Sequence, residues 1–233
     1  MNIVITGATK GIGRAIAERF AREGFDLAVC ARTKKDVDKL GNDLAALNPK
    51  AKIIAESCDM SEKVQVQAFA SKINREWKKV DVLVNNAGLF LPGQIYAEPD
   101  GQLEELMKVN LHSAYHMTRA LLPNMMKQKA GHIFNMCSVA SFMAYEHGGS
   151  YSIAKHALVG FSKSLREEMK PHGIRVTSIL PGAVKTPSWD GVDLPAKRFM
   201  KPEDIADSVW GIWQLSDRTV VEEIVLRPML GDL

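Results

Sequence analysis

The sequence predicts an α/β protein built as a single domain: a doubly wound parallel sheet of seven strands with helices on both faces. Three observations lead there. Short β-rich runs alternate with longer amphipathic stretches along the whole chain, which is the pattern of a parallel sheet wrapped by crossover helices. The 233 residues fit one compact domain, and a composition of 46% hydrophobic and 24% charged residues is that of a chain able to bury a large core. No repeat, low-complexity tract or Ser/Gly linker interrupts the alternation, so the domain is expected to span 1–233.

In order, strands are expected at 3–5, 27–29, 52–54, 82–84, 132–134, 175–177 and 223–226, each a short apolar run suited to burial on both sides. Helices are expected near 12–22, 34–47, 62–76, 102–128, 151–170 and 203–214. The Pro-rich stretch 181–202 lies after the sixth strand, and its part near 187–201 is expected to be a substrate lid. Right-handed crossovers leave a ligand crevice at the carboxyl ends of the strands, so chemistry belongs just after strands.

Composition also excludes partners. Thirty basic against 27 acidic side chains leave a net charge of +3, and no basic run exceeds two residues, so no nucleic-acid partner is expected. No apolar stretch approaches the roughly 18 residues that cross a bilayer, so no membrane partner is expected either. Cys30, Cys58 and Cys137 lie far apart in sequence and are odd in number, as suits reduced thiols. The opening run Met1-Asn2-Ile3-Val4-Ile5 reads as a strand, not an export signal, and a cytoplasmic location is expected. His112 and His116 have metal-like spacing but no third ligand, so no metal is expected.

Directly after the first strand comes Thr6-Gly7-Ala8-Thr9-Lys10-Gly11-Ile12-Gly13, followed by a helical segment. Glycines let backbone turn sharply and approach a pyrophosphate, and the helix amino end offers it unpaired N–H groups. Strand, glycine loop and helix together make a Rossmann-like dinucleotide site, with Gly7, Thr9, Lys10, Gly11, Ile12 and Gly13 against the phosphates. About 20 residues beyond such a loop an NAD enzyme places a carboxylate for the ribose 2′-hydroxyl. Here the chain reads Cys30-Ala31-Arg32-Thr33. With no acid there, Arg32 and Lys10 are expected to meet the 2′-phosphate of NADP, beside Thr33.

Tyr151 and Lys155 stand one helical turn apart, hence on one helix face. A free phenol has a pKa of about 10, so acid–base work near neutral pH requires phenolate stabilisation, which a neighbouring ammonium supplies. Ser138, after the fifth strand, offers a hydroxyl at the same edge, suited to orienting a carbonyl oxygen. Met136 and Ala140 stand where the glycines of a Gly-x-Ser-x-Gly nucleophile elbow would be, which argues against hydrolysis.

With these residues assembled, the chain resembles the short-chain dehydrogenase/reductase family almost end to end. The resemblance rests on the Thr6 to Gly13 loop, Asn85-Asn86-Ala87-Gly88, Asn110, Ser138, Tyr151, Lys155, and Pro181-Gly182 with Thr186. It implies that Tyr151 is the acid/base, Ser138 the carbonyl-orienting group, Lys155 a ribose-binding and tyrosine-tuning ammonium, and Asn110 a proton-relay residue. It also implies cofactor contacts from Asp59 and Met60 at the adenine. Asn86, Ala87 and Gly88 would stand beside the ribose, and Pro181, Gly182, Val184 and Thr186 around the nicotinamide. Asn85 is expected to brace the central strands instead. Within the family the chain is similar to 3-oxoacyl-carrier-protein and sepiapterin-type reductases, though its tail from Val225 to Leu233 lacks the Asn-Gly-Gly segment of the acyl reductases.

The function expected is NADPH-dependent reduction of a ketone or aldehyde, reversible as alcohol oxidation. Phe90, Phe142, Met143, Tyr145 and Trp189 are expected to border an apolar substrate site. The rival is a protein of the same fold that senses NADP and catalyses nothing, against which the intact set Asn110, Ser138, Tyr151 and Lys155 argues. A homo-oligomer pairing the helices near 102–128 and 151–170 is implied by resemblance.

Overall fold

The computed structural model describes residues 1–189, 191 and 193–233. Asp190 and Val192, within the expected lid, lie outside the described residues. Seven strands form one sheet: β1 (Asn2–Thr6), β2 (Asp26–Ala31), β3 (Ile53–Ser57), β4 (Val82–Asn85), β5 (Gly131–Met136), β6 (Ile174–Pro181) and β7 (Glu223–Leu226). Their order is β3-β2-β1-β4-β5-β6-β7, and each neighbouring pair is parallel. The order reverses between β1 and β4, which is where a doubly wound sheet opens its ligand crevice.

Alternation along the strands explains why both faces are covered. Successive side chains point to opposite sides of a sheet. Ile3, Ile5, Leu27, Val29, Val82 and Val84 join a core under α1 (Gly11–Arg22), α2 (Lys34–Leu47) and α7 (Pro202–Trp213). Val4, Ala28, Leu83 and Ile133 join a second core, under α3 (Lys63–Glu76), α5 (Ser113–Gln128) and α6 (Gly149–Met169). With no face left to water, the central strands carry no polar alternation, as the apolar runs predict.

One expected helix is interrupted. In place of a continuous span over 102–128 there is α4 (Gln102–Met107), a π-helical turn (Lys108–His112), and then α5. A wide turn of this kind inserts one extra residue into the helical ladder. It carries Asn110, which is turned inward and 1% exposed. Beyond β6, the expected lid holds two short 3₁₀ turns, Pro187–Trp189 and Ala196–Arg198, and a bridge between Val184 and Met200 ties its base. Among the described residues no helix is long and apolar enough to cross a membrane.

Candidate active site

The glycine loop and the end of β4 are fastened together. Asn86 Nδ2 donates to Thr6 O at 3.0 Å and Gly7 O at 2.9 Å, while Thr6 Oγ1 accepts from the backbone N–H of Asn86 and of Ala87, each at 3.0 Å. Two glycines make this approach possible. Gly7 has φ +65°, and a Cβ there would lie 2.8 Å from Ala87 Cα; a Cβ on Gly13 would lie 2.5 Å from Gly7 O and strike the Asn86 amide. Asn86, expected beside the ribose, thus spends its amide on bracing the loop. Thr9 and Ile12 are half-buried within that loop.

Lys10 is exposed and occupies the cap position of α1 with extended backbone and no side-chain cap. The first N–H groups of α1 are consequently left without a capping side chain, as an anion site requires. Arg32 and Thr33 are exposed at the end of β2, where Ser57 Oγ donates to Arg32 O at 2.8 Å. At the end of β3, Asp59 Oδ1 accepts from Ser61 N at 2.9 Å and Ser61 Oγ at 2.8 Å. The Met60 side chain is buried, its sulfur 3.7 Å from both Cys30 and Cys58. It belongs to the core, so Asp59 and Met60 differ from Lys10 and Arg32 in having their side chains already engaged.

The expected catalytic residues converge. Tyr151 and Lys155 lie in the first two turns of α6, and Lys155 Nζ sits 5.7 Å from the centroid of the Tyr151 ring. Burial raises the phenol above its ordinary range, and a hydrogen bond with Ser138 opposes that rise. Burial likewise pulls the Lys155 ammonium down to about 8. Its Nζ donates to Met136 O at 2.8 Å, so the ammonium, itself 5% exposed, is satisfied by a carbonyl of β5 and not by the phenol. Ser138 caps the short turn Val139–Ser141, its Oγ accepting from Ala140 N at 3.2 Å.

Asn110 reaches the same place from the π turn. Its Oδ1 accepts from Leu89 N at 3.1 Å, and its Nδ2 donates to Leu89 O at 2.9 Å and Leu106 O at 3.1 Å. A Cβ on Gly88 would lie 3.0 Å from Asn110 Oδ1 and 3.6 Å from Lys155 Nζ, so the exposed surface of Gly88 is the floor where the two side chains meet. Two residues further on, the Phe90 ring stands edge-on to Tyr151 at 4.9 Å between centroids. Asn85 stays below the floor, donating to Thr118 Oγ1 at 2.9 Å and Asn135 Oδ1 at 2.8 Å, which is the bracing role expected of it.

Across the crevice, Pro181 ends β6 and Gly182 N donates to Leu226 O at 2.7 Å. Val184 is buried, and the Thr186 methyl lies 2.9 Å from where a Gly11 Cβ would stand. The start of the lid therefore touches the glycine loop, and a cavity of about 370 Å³ lined by Gly11, Lys185, Thr186 and Pro187 opens along this seam. Trp189 packs edge-on to Phe199 at 5.2 Å, whereas Phe142 and Tyr145 are exposed on the loop after β5.

Two features have no local signal in the sequence. Cys30 and Cys58 become neighbours across the β2–β3 pairing, and their mutual hydrogen bond raises the Cys30 thiol and lowers that of Cys58. Glu98, in the loop before α4, accepts from Ser150 N at 2.8 Å, one residue before Tyr151. Both pairings join segments distant in the chain, which no spacing rule reaches.

Comparison with known proteins agrees with this architecture. The family model described as short chain dehydrogenase matches residues 1–195. A sepiapterin reductase of Chlorobaculum tepidum is 36% identical over 239 aligned positions, covering 99% of this chain and 97% of the relative. An alcohol dehydrogenase of Thermococcus sibiricus, solved with 5-hydroxy-NADP, superposes with a TM-score of 0.91 at 29% identity, over 100% of this chain and 98% of the other. The L-sorbose reductase of Gluconobacter frateurii, solved with NADPH and L-sorbose, gives a TM-score of 0.89 at 28% identity, covering 100% and 97%. With the family model matching residues 1–195 and a relative 36% identical over 99% of the chain, one conclusion follows: the chain belongs to the short-chain dehydrogenase family.

Proposed function

We propose that this protein is an NADPH-dependent reductase of ketones or aldehydes, reversible as NADP-linked alcohol oxidation, with Tyr151 as general acid and base. The observation that carries the reading is the convergence of Ser138 and Lys155 on Tyr151, whose ring Phe90 packs against. The residues present fit a dinucleotide. The first N–H groups of α1 have no capping side chain, and the buried Lys155 ammonium has one hydrogen-bond partner among the described residues for its three donors. Exposed Lys10 and Arg32 favour the phosphorylated ribose, in keeping with the NADP-bound structures to which the chain is similar.

When bound, NADPH supplies the hydride. The chain's own residues do the remainder. Ser138 orients the substrate oxygen and Tyr151 gives it a proton. Desolvation holds the phenol in its protonated form, and Lys155 orients a ribose while its charge favours the phenolate left behind. The Asn110 amide is fully engaged with Leu89 and Leu106, so its part in proton relay falls to its main chain within the π turn. Asp59 and Met60 stand at the adenine, Asn86, Ala87 and Gly88 beside the ribose, and Pro181, Gly182, Val184 and Thr186 around the nicotinamide, with a substrate lid near 187–201.

The outer faces of α5 and α6 expose Tyr115 and Ile153, and a homo-oligomer through these helices belongs to the same reading, checked by light scattering. Activity is tested by following NADPH oxidation over ketones, aldehydes, quinones and acyl thioesters. Turnover of at least one carbonyl class supports the reading; a flat trace across the panel, with NADPH still bound, favours a sensor.

A further inference from the structure

The helix that carries Tyr151 begins without a cap of its own. At its amino end the residue preceding Gly149 is Gly148, which has helical backbone angles and no side chain to accept the free N–H groups. Such groups need a partner. The partner comes from a loop 52 residues earlier: Glu98 Oε1 accepts from Ser150 N at 2.8 Å, and Glu98 Oε2 accepts from Ser150 Oγ.

A second tie runs beside it. Gly93 N donates to His147 O at 3.0 Å, and His147 is held at φ +61°, a strained region for a side chain of its size. Gly93 and Gly149 are packed around the Glu98 carboxylate. A Cβ at 93 would lie 2.5 Å from Glu98 Cγ, and one at 149 would strike Glu98 Oε1 and lie 2.6 Å from Gly93 O. The same loop, 86–101, carries Phe90 toward its start, and the Phe90 ring bears on the Tyr151 ring. One end of the loop therefore touches the phenol and the other fastens the residue before it.

We propose that Glu98 is a positioning residue that fixes the first turn of α6, and with it the direction of the Tyr151 hydroxyl, through its two hydrogen bonds to Ser150. The proposal rests on the reading of Tyr151 as the proton donor. Losing a cap frays the first turn of a helix. Tyr151 lies in that turn, whereas Lys155 lies a turn further on and is tied to Met136 O. The loss should therefore fall on proton transfer and spare cofactor binding.

The test compares wild type, Glu98→Ala, Glu98→Gln and Tyr151→Phe by steady-state kinetics, NADPH affinity and amide hydrogen exchange. Glu98→Ala is expected to lower kcat about tenfold or more with NADPH affinity within about threefold, and to speed exchange at 149–152 while leaving the middle of α6 unchanged. Glu98→Gln keeps an oxygen to accept from Ser150 N, and should recover most of kcat. Unchanged exchange at 149–152, a kcat within about twofold of wild type, or a parallel loss of kcat and NADPH affinity would each overturn the proposal. Tyr151→Phe separates the two failures: turnover surviving there removes the proton donor, and the proposal with it, whereas an inactive Tyr151→Phe beside a fully active Glu98→Ala removes the positioning role alone.

Discussion

Lys155 Nζ lies 5.7 Å from the centroid of the Tyr151 ring yet gives its hydrogen bond to Met136 O at 2.8 Å. The ammonium is thus held beside the phenol by the sheet, at the carboxyl end of β5, and the pair is preorganised without being bonded to each other. Burial raises the phenol, so near neutral pH it keeps its proton.

Replacing Tyr151 by Phe tests the proton path. The variant keeps the ring that packs against Phe90 and loses only the hydroxyl. Turnover should fall about a thousandfold, within the range general acid catalysis contributes, with NADPH affinity unchanged in a fluorescence titration. Retained turnover would assign the proton to another group.

Arg32→Glu tests the cofactor choice. Each charge-assisted hydrogen bond contributes about 1.5 to 3 kcal/mol, so reversing this charge should raise the KM for NADPH roughly 10- to 100-fold and leave that for NADH nearly unchanged. An equal rise for both cofactors would place Arg32 away from the 2′-phosphate.

Lys155 should leave a mark on stability against pH. Its folded value, about 8, lies below the ordinary 10.5 because burial disfavours the charge. Between these values the unfolded chain holds the proton more tightly, so stability rises as pH increases from about 8 to 10.5, and below 8 the penalty is fully present. Lys155→Met removes the penalty, which amounts to roughly 3 kcal/mol. Urea unfolding at pH 7 and pH 10 should show the variant's advantage at the lower pH shrinking to under about 1 kcal/mol at the higher. An advantage independent of pH would mean that the amine carries no buried charge.

A second pH limb belongs to His132. Thr177 Oγ1 donates to Val221 O at 2.6 Å, so the 2.7 Å contact between His132 Nε2 and Thr177 Oγ1 needs the proton on Nε2. Nδ1 is buried with no partner among the described residues, and burial, with Arg175 nearby, lowers the imidazole well below its ordinary 6.5. Below about 6.5 the unfolded chain takes up a proton that the folded one refuses, so stability falls as pH drops, by about 1.4 kcal/mol per unit. His132→Leu should flatten this limb in urea melts between pH 7 and 5; an unaltered slope would exclude His132 as its source.

Local chemistry determined much of this protein. Apolar runs buried on both sides had one stable use, in a parallel sheet, and β7 and α2 fall on the expected residues because their boundaries are set by nearby turn and polar groups. The positions of the glycine loop, Ser138 and the Tyr151–Lys155 pair were legible because they depend on short spacings and on lying just after a strand or on one helix face. What only the tertiary structure decided depends on segments distant in the chain. The π turn at Asn110 is set by the Leu89 backbone, the Asn86 amide is drawn onto Gly7 O, the Met60 sulfur is enclosed by Cys30 and Cys58, and the Ser150 N–H finds Glu98. A buried or capping polar group takes whichever partner the folded sheet brings within about 3 Å, and sequence spacing does not encode that partner.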